Sequence, residues 1–337
     1  MTKSRNSLKG IIFALTSGCC WAFSGTLGQF LFTEKNVDPS WLTVVRMISS
    51  GMIFLVMTLM SGRSRSSLKR MLTAPGDMLF IVFFAIAGLM LVQYSYMISI
   101  NNTNAGVATA IQYSGEALVL AVTCAKMKRL PYKSETFGLI IMLAAVFLIS
   151  THGRTGGFAF SFSTVIWLIL AAVSLMLYTV LPPGIIKKYG SEPVMGAGIL
   201  IGGAALALVV KVWTIPAGNM DIHGLAAMAL IILVGTVLAF SMFMQSTVLI
   251  GPVKAGMLSA IETVASPVIS YFWLGTRFTV TDYAGFVMMF TMVILLSIPE
   301  LTKREHASAH ADSSAEPAVS IRYAGSQKRV LLTHKEK

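Results

Sequence analysis

Of the 337 residues, 55% are hydrophobic and only 12% are charged, about half the charged share of a soluble domain, and the mean hydropathy is +0.75. These figures exclude a soluble globular chain and a disordered one, and fit a chain that lies mostly in a membrane. The formal net charge of +12 comes from short basic blocks between apolar runs, so it reflects orientation in the bilayer and no nucleic-acid partner is expected.

Lys3, Arg5 and Lys9 precede an apolar run of about twenty residues, too long for a signal-peptide core. Thr-Ser-Gly-Cys at 16–19 loosely resembles a lipoprotein cleavage box, but the apolar residue is displaced to Leu15 and the run continues past Cys19. The first span is therefore expected to be retained. Ten transmembrane helices are predicted near 9–31, 41–61, 78–99, 104–124, 134–151, 163–183, 194–213, 223–246, 253–274 and 279–299. Pro and Gly punctuate the gaps, as at Asp38-Pro39, Ala74-Pro75-Gly76 and Pro182-Pro183-Gly184. Beyond Glu300 the chain turns polar, and 300–337 reads as a disordered cytoplasmic tail. With both termini inside, 21 Lys and Arg fall on inner segments against 4 on outer ones, which predicts a multi-pass inner-membrane protein with cytoplasmic N- and C-termini. Cys19, Cys20 and Cys124 all sit in apolar runs and read as packing residues.

Asn104-Ala-Gly-Val-Ala-Thr-Ala-Ile-Gln112 returns as Lys254-Ala-Gly-Met-Leu-Ser-Ala-Ile-Glu262. The segment after each copy also has a counterpart, with Glu135 matching Asp282 and Gly138 matching Gly285. Residues 9–151 and 163–299 are thus read as two five-helix repeats. An odd number of spans per repeat forces the second to enter from the opposite face, giving an all-α membrane fold of inverted repeats with a site at the midplane.

Polar residues fall on stripes in the two matching helices. In span four Thr109, Gln112, Glu116 and Thr123 share a face, and in span nine Ser259, Glu262, Ser266 and Ser270 do. Glu116 lies roughly 18 Å along its helix, near mid-bilayer, where a charge costs about 2.5–3.5 kcal/mol or more. Glu116 and Glu262 are therefore expected to face a shared wet cavity; the bland alternative is that the hydroxyls bond their own backbone and the stripes only join helices. Tyr113, Trp21, Gln93, Tyr96 and Tyr178 are further candidates for the cavity wall, with Phe240, Phe243 and Gln245 beside them. Such aromatic walls suit an amphipathic metabolite or an organic cation. Arg46, inside span two, is expected to snorkel outward or pair structurally, and otherwise to meet a substrate carboxylate. Gly198-x-x-x-Gly202 is a helix-joining signal, and Pro252 and Pro267 are positions where span nine could bend.

His152, His223, His306, His310 and His334 have no partner at metal-ligand spacing, and no nucleophile elbow or phosphate loop occurs. No enzyme activity, metal or cofactor is predicted.

Trp21, Leu42-Thr-Val-Val-Arg46-Met, the Asn-Ala-Gly and Lys-Ala-Gly openings and Ile261-Glu262 before Pro267 together resemble the EamA-type branch of the drug/metabolite transporter superfamily, over about residues 9–299. The resemblance implies a ten-helix inverted-repeat carrier, with a central cavity built from helices 1, 3, 4, 6, 8 and 9, that exports or less often imports amino acids, other metabolites or drugs. The chain departs from that pattern where helices four and nine end. Met127-Lys128-Arg129-Leu130 and Gly275-Thr276-Arg277-Phe278 replace the family's Gly-Glu-Arg-Leu, so roles tied to those glutamates do not transfer.

The expected function is secondary transport of a small amphipathic metabolite (an amino acid or similar) or drug across the plasma membrane, in the exporting direction, by alternating access, proton-coupled through Glu116 and Glu262, in a monomer or homodimer. An uncoupled facilitator, a membrane sensor or scaffold acting through the tail, and a lipid-directed membrane enzyme are the alternatives.

Overall fold

In the computed structural model of the protein, residues 2–131, 133–151 and 160–292 are described, and all regular structure among them is helical. The helices are α1 (Thr2–Lys35), α2 (Pro39–Met60), α3 (Gly62–Leu72), α6 (Lys133–Thr151) and α8 (Ser191–Val210), with α4 (Pro75–Asn102), α5 (Ala105–Lys126), α7 (Phe162–Tyr189), α9 (Ile222–Ile250) and α10 (Pro252–Leu274). A last helix, α11, covers 280–292. Eight of these are long and apolar enough to cross a membrane: α1 from Asn6 onward, α2, α4, α5, α7, α8, α9 and α10. The apolar run in α6, Thr136–Ile149, is shorter, and α11 reaches the edge of the described residues. The predicted tail, 300–337, lies outside the described residues, as do His152 and the far end of the predicted tenth span.

Local sequence sets where the helices start. Asp38 precedes Pro39 at the first turn of α2 and accepts from the Ser40 and Trp41 N–H groups, so the orphan donors of that turn are met by a carboxylate. Asn104 caps α5 through Val107 N–H and Asp221 caps α9 through Gly224 N–H, each at 2.9 Å. Asp221 also takes the Lys35 ammonium at 2.7 Å, tying the end of α1 to the start of α9. Outward-facing Met52, Val56, Leu79, Phe83, Phe147, Ile169 and Phe272 are exposed, as a lipid-facing surface requires when each helix satisfies its own backbone. Inside, one apolar cluster joins Phe54, Phe84, Leu89, Tyr178, Phe243 and Met289, and a second joins Leu31, Leu42, Met97 and Ile231.

Two kinds of irregularity each occur twice. A π-helical stretch interrupts α4 at Phe84–Met90 and α9 at Leu233–Leu238. In α5, helix runs over Ala105–Gln112 and resumes at Gly115–Lys126; in α10 it runs over Pro252–Ser259 and resumes at Glu262–Leu274. Both interruptions are tight turns closed by bonds to the third residue back, such as Glu116 N–H to the Tyr113 carbonyl (3.0 Å) and Thr263 N–H to the Ala260 carbonyl (2.9 Å). Such a turn winds about three residues instead of 3.6, so a polar stripe does not continue straight across it. The first segment of α5 ends at Gln112 while that of α10 ends at Ser259, although the repeated sequence pairs Gln112 with Glu262. The interruption in α10 thus comes nearly a helical turn earlier than the repeat implies. It also lies away from the prolines: Pro252 occupies the first turn of α10 and Pro267 sits inside its second segment.

Gly198 and Gly202 lie where α8 meets α4. A Cβ on Gly198 would sit 2.7 Å from Leu89 Cδ1, and one on Gly202 would sit 2.7 Å from the Ala85 carbonyl oxygen. Since the obstacle at Gly202 is backbone, it cannot swing aside, and the helices would have to separate. Gly202→Ala is expected to cost about 1–3 kcal/mol by overpacking and to lower the thermal midpoint of the purified protein. Gly184→Ala, with nothing near its Cβ, should stay within about 0.5 kcal/mol.

Candidate functional site

A cavity lies among α1, α2, α4, α5, α7, α9 and α10. Eight of the sequence candidates line it: Trp21, Arg46, Gln93, Tyr96, Gln112, Tyr113, Tyr178 and Glu262. Ser24, Val92, Leu175 and Phe240 complete the wall. Of these, Val92 and Leu175 are plain apolar residues that no sequence signal distinguishes.

The acidic centre is Glu262, buried at 3% exposure. Tyr96 donates to its Oε1 at 3.0 Å, and Tyr113 stands 2.9 Å from its Oε2. Tyr96 OH is also 2.6 Å from Thr109 Oγ1, so a donor chain from Thr109 through Tyr96 to the carboxylate is available. The Tyr113 hydroxyl has a second acceptor, the Ser259 carbonyl at 2.9 Å, and Ser259 Oγ at 3.3 Å. That carbonyl is available because the interruption of α10 diverts the Thr263 N–H to Ala260. Tyr113 holds a single proton for two oxygens. With Glu262 ionised, the proton goes to the carboxylate; with Glu262 protonated, the carboxyl can donate to Tyr113, which then donates to Ser259. The interruption comes close to α1 at Gly18, where a Cβ would collide with the same Ser259 carbonyl.

Arg46 does not snorkel outward. Its side chain is buried at 3% exposure and its Nε donates to Gln93 Oε1 at 2.9 Å. The opposite wall is aromatic: Trp21 lies 5.5 Å from Phe240 and 6.4 Å from Tyr178 between ring centroids, both edge-on, and Tyr178 is stacked on Phe243 at 5.5 Å. These are favourable ring geometries. Gln245 is exposed and takes no part.

Glu116 is not in this cavity. Its carboxylate is buried at 4% exposure with neither oxygen hydrogen-bonded, and it is pressed against Gly256 of α10, where a Cβ would collide with it. It borders a separate hollow with Leu120, Leu139, Met142, Met257 and Met292. The shared cavity expected for the two glutamates is therefore corrected: the tight turn at Tyr113-Ser114 falls between Gln112 and Glu116 and turns them to different surroundings. Ser259 meets the cavity only through Tyr113. Ser266 is buried without a hydrogen-bond partner and does not line the cavity, while Ser270 reaches Thr26 of α1 at 3.3 Å. Among the described residues no three His, Cys, Asp or Glu side chains gather as a metal site.

The model of the EamA-like transporter family matches residues 8–151 and again 162–298. An uncharacterized inner membrane transporter, YicL, of Salmonella typhimurium (strain LT2) is 27% identical over 292 residues, covering 86% of this chain and 95% of its own. A solved crystal structure of a protein has the same fold at 16% identity, with a TM-score of 0.61 over 90% of this chain and 98% of that one. Two matches that together span most of its length show that the chain belongs to the EamA-like transporter family.

Proposed function

We propose that this transporter moves a small amphipathic metabolite or drug across the plasma membrane, in the exporting direction, by alternating access coupled to proton exchange. The reading takes the spans as ten, in two inverted five-helix halves (9–151 and 163–299) with cytoplasmic ends, that rock about the cavity at Glu262. The recurrence of the π-helical stretch in α4 and α9, and of the interruption in α5 and α10, supports two halves of common design. In this reading Gln112, Tyr96, Trp21 and Tyr178 contact the solute, Arg46 and Gln93 orient it, and Glu262 exchanges the proton, relayed by Tyr113 with Ser259. Glu116, apart from the solute, serves as a second protonatable group between α5 and α10, with Ser266 farther along α10. The functional unit is a monomer or homodimer.

One observation carries the coupling: the Tyr113 hydroxyl stands 2.9 Å from both Glu262 Oε2 and the Ser259 carbonyl. A change in the charge of Glu262 thereby becomes a change of hydrogen bonding at the point where α10 is interrupted. A solute that alters the surroundings of Glu262 biases the same choice.

Flux of a radiolabelled panel of amino acids and aromatic acids in proteoliposomes tests this. An imposed pH gradient is expected to accelerate flux, and Glu262→Gln to lower gradient-driven flux about tenfold or more, as befits the loss of a charged hydrogen-bonding group. Tyr113→Phe, which keeps the ring, should slow driven flux while leaving solute binding intact. Flux indifferent to the gradient in the unaltered protein would identify an uncoupled facilitator instead. Deleting residues 303–337 is expected to leave flux unchanged; its loss would favour action through the tail.

A further inference from the structure

The polar groups of the cavity wall are unbalanced. Trp21 Nε1, Arg46 Nη1 and Gln93 Nε2 are buried without hydrogen-bond partners, as are Ser24 Oγ and the Tyr178 hydroxyl, and all five residues line the one cavity. The first three atoms can only donate. Gln93 has no choice in this, because its Oε1 already accepts from Arg46 Nε, which leaves the amide nitrogen as its free end. The two hydroxyls can turn to donate as well. The sole carboxylate of the wall, Glu262, already accepts one hydroxyl on each oxygen, from Tyr96 and Tyr113. Of the wall's buried unpartnered atoms, none is an acceptor only.

Charge points the same way: Arg46 and Glu262 both line the cavity, but no hydrogen bond joins them. Arg46 is 3% exposed, and its one hydrogen-bond partner is the neutral Gln93. A guanidinium buried at membrane depth without a direct ion pair is costly, and its planar donor fork matches a carboxylate better than any other small partner. An ammonium ligand, for which the Trp21, Tyr178 and Phe240 rings alone would be attractive, meets the like charge of Arg46, and each oxygen of Glu262 already accepts a tyrosine hydroxyl.

Resting on the reading of this cavity as the solute site, we propose that its ligand is a small organic carboxylate with an apolar body and no cationic group. The carboxylate docks on Arg46 and Gln93, the apolar body lies against the rings of Trp21, Tyr178 and Phe240, and any further acceptor atom is taken by Trp21 Nε1, Ser24 or the Tyr178 hydroxyl. A zwitterionic amino acid is disfavoured because its ammonium would sit beside Arg46, where Trp21 Nε1, Arg46 Nη1 and Gln93 Nε2 offer it no acceptor.

Four probes of one shape decide the matter: 3-phenylpropanoate, 3-phenylpropanamide, 3-phenylpropylamine and phenylalanine. Their binding to the purified full chain in nanodiscs is measured by thermal shift and by tryptophan fluorescence, with Trp21→Phe identifying the contribution of the cavity. The carboxylate is expected to bind at least about tenfold tighter than the amine and tighter than phenylalanine. In Arg46→Gln it should lose at least that factor while the neutral amide binds as before, which also shows that the variant is folded. If the amine or phenylalanine binds as tightly as the carboxylate, the ligand class is wrong while the cavity remains the solute site. If none of the four binds, both the ligand class and the reading of the cavity are overturned.

Discussion

A carboxylate held in the middle of a membrane-spanning bundle is the constraint around which this structure is arranged. Water cannot hydrate Glu262 there as it would at a surface, and placing a charge at that depth costs about 2.5–3.5 kcal/mol or more. The bundle answers with two tyrosyl hydroxyls from two other helices, Tyr96 of α4 and Tyr113 of α5. Because those donors come from sequence positions far from α10, the carboxylate fixes how three helices sit relative to one another. Arg46 and Gln93 add a second polar pair on the same wall.

The irregular backbone follows from that arrangement. In hydrocarbon, a helix that opens a backbone bond must satisfy the freed groups elsewhere. The interruption of α10 frees the Ser259 carbonyl, and Tyr113 reaches it at 2.9 Å. Gly18 lets α1 come against the same spot, where any side chain would collide. The helix break, the hydroxyl and the carboxylate thus form one unit, in which the position of a proton decides which oxygen is satisfied. A straight α10 would bury the Ser259 carbonyl in its own helix and leave Tyr113 with Glu262 alone.

Much of this was legible in the sequence because polar residues are conspicuous in apolar spans. Glu262, Gln93, Tyr96, Tyr113 and Trp21 stood out for that reason, and the structure sets them around one cavity. The sequence leaves Arg46 between snorkelling and structural pairing, because which one occurs depends on a partner, here Gln93, far away in the chain. The separation of Glu116 from Glu262 was hidden because it comes from a tight turn at Tyr113-Ser114, which only the adjoining Gly115 marks in the sequence. Helical spacing assumes 3.6 residues per turn throughout, and that assumption fails at the one turn between Gln112 and Glu116. The glycines at 198 and 202 were correctly marked as a helix-joining signal, although their partner, α4, could not be named without the fold.

The central claim is that the cavity at Glu262 opens to the two sides of the membrane in turn. Val92 lines it without belonging to its polar network, so a cysteine there reports access with little disturbance. In a background with Cys19, Cys20 and Cys124 replaced, Val92→Cys in oriented vesicles should react with a membrane-impermeant thiol reagent applied to either face. Labelling from one face only, or from neither, would contradict the account.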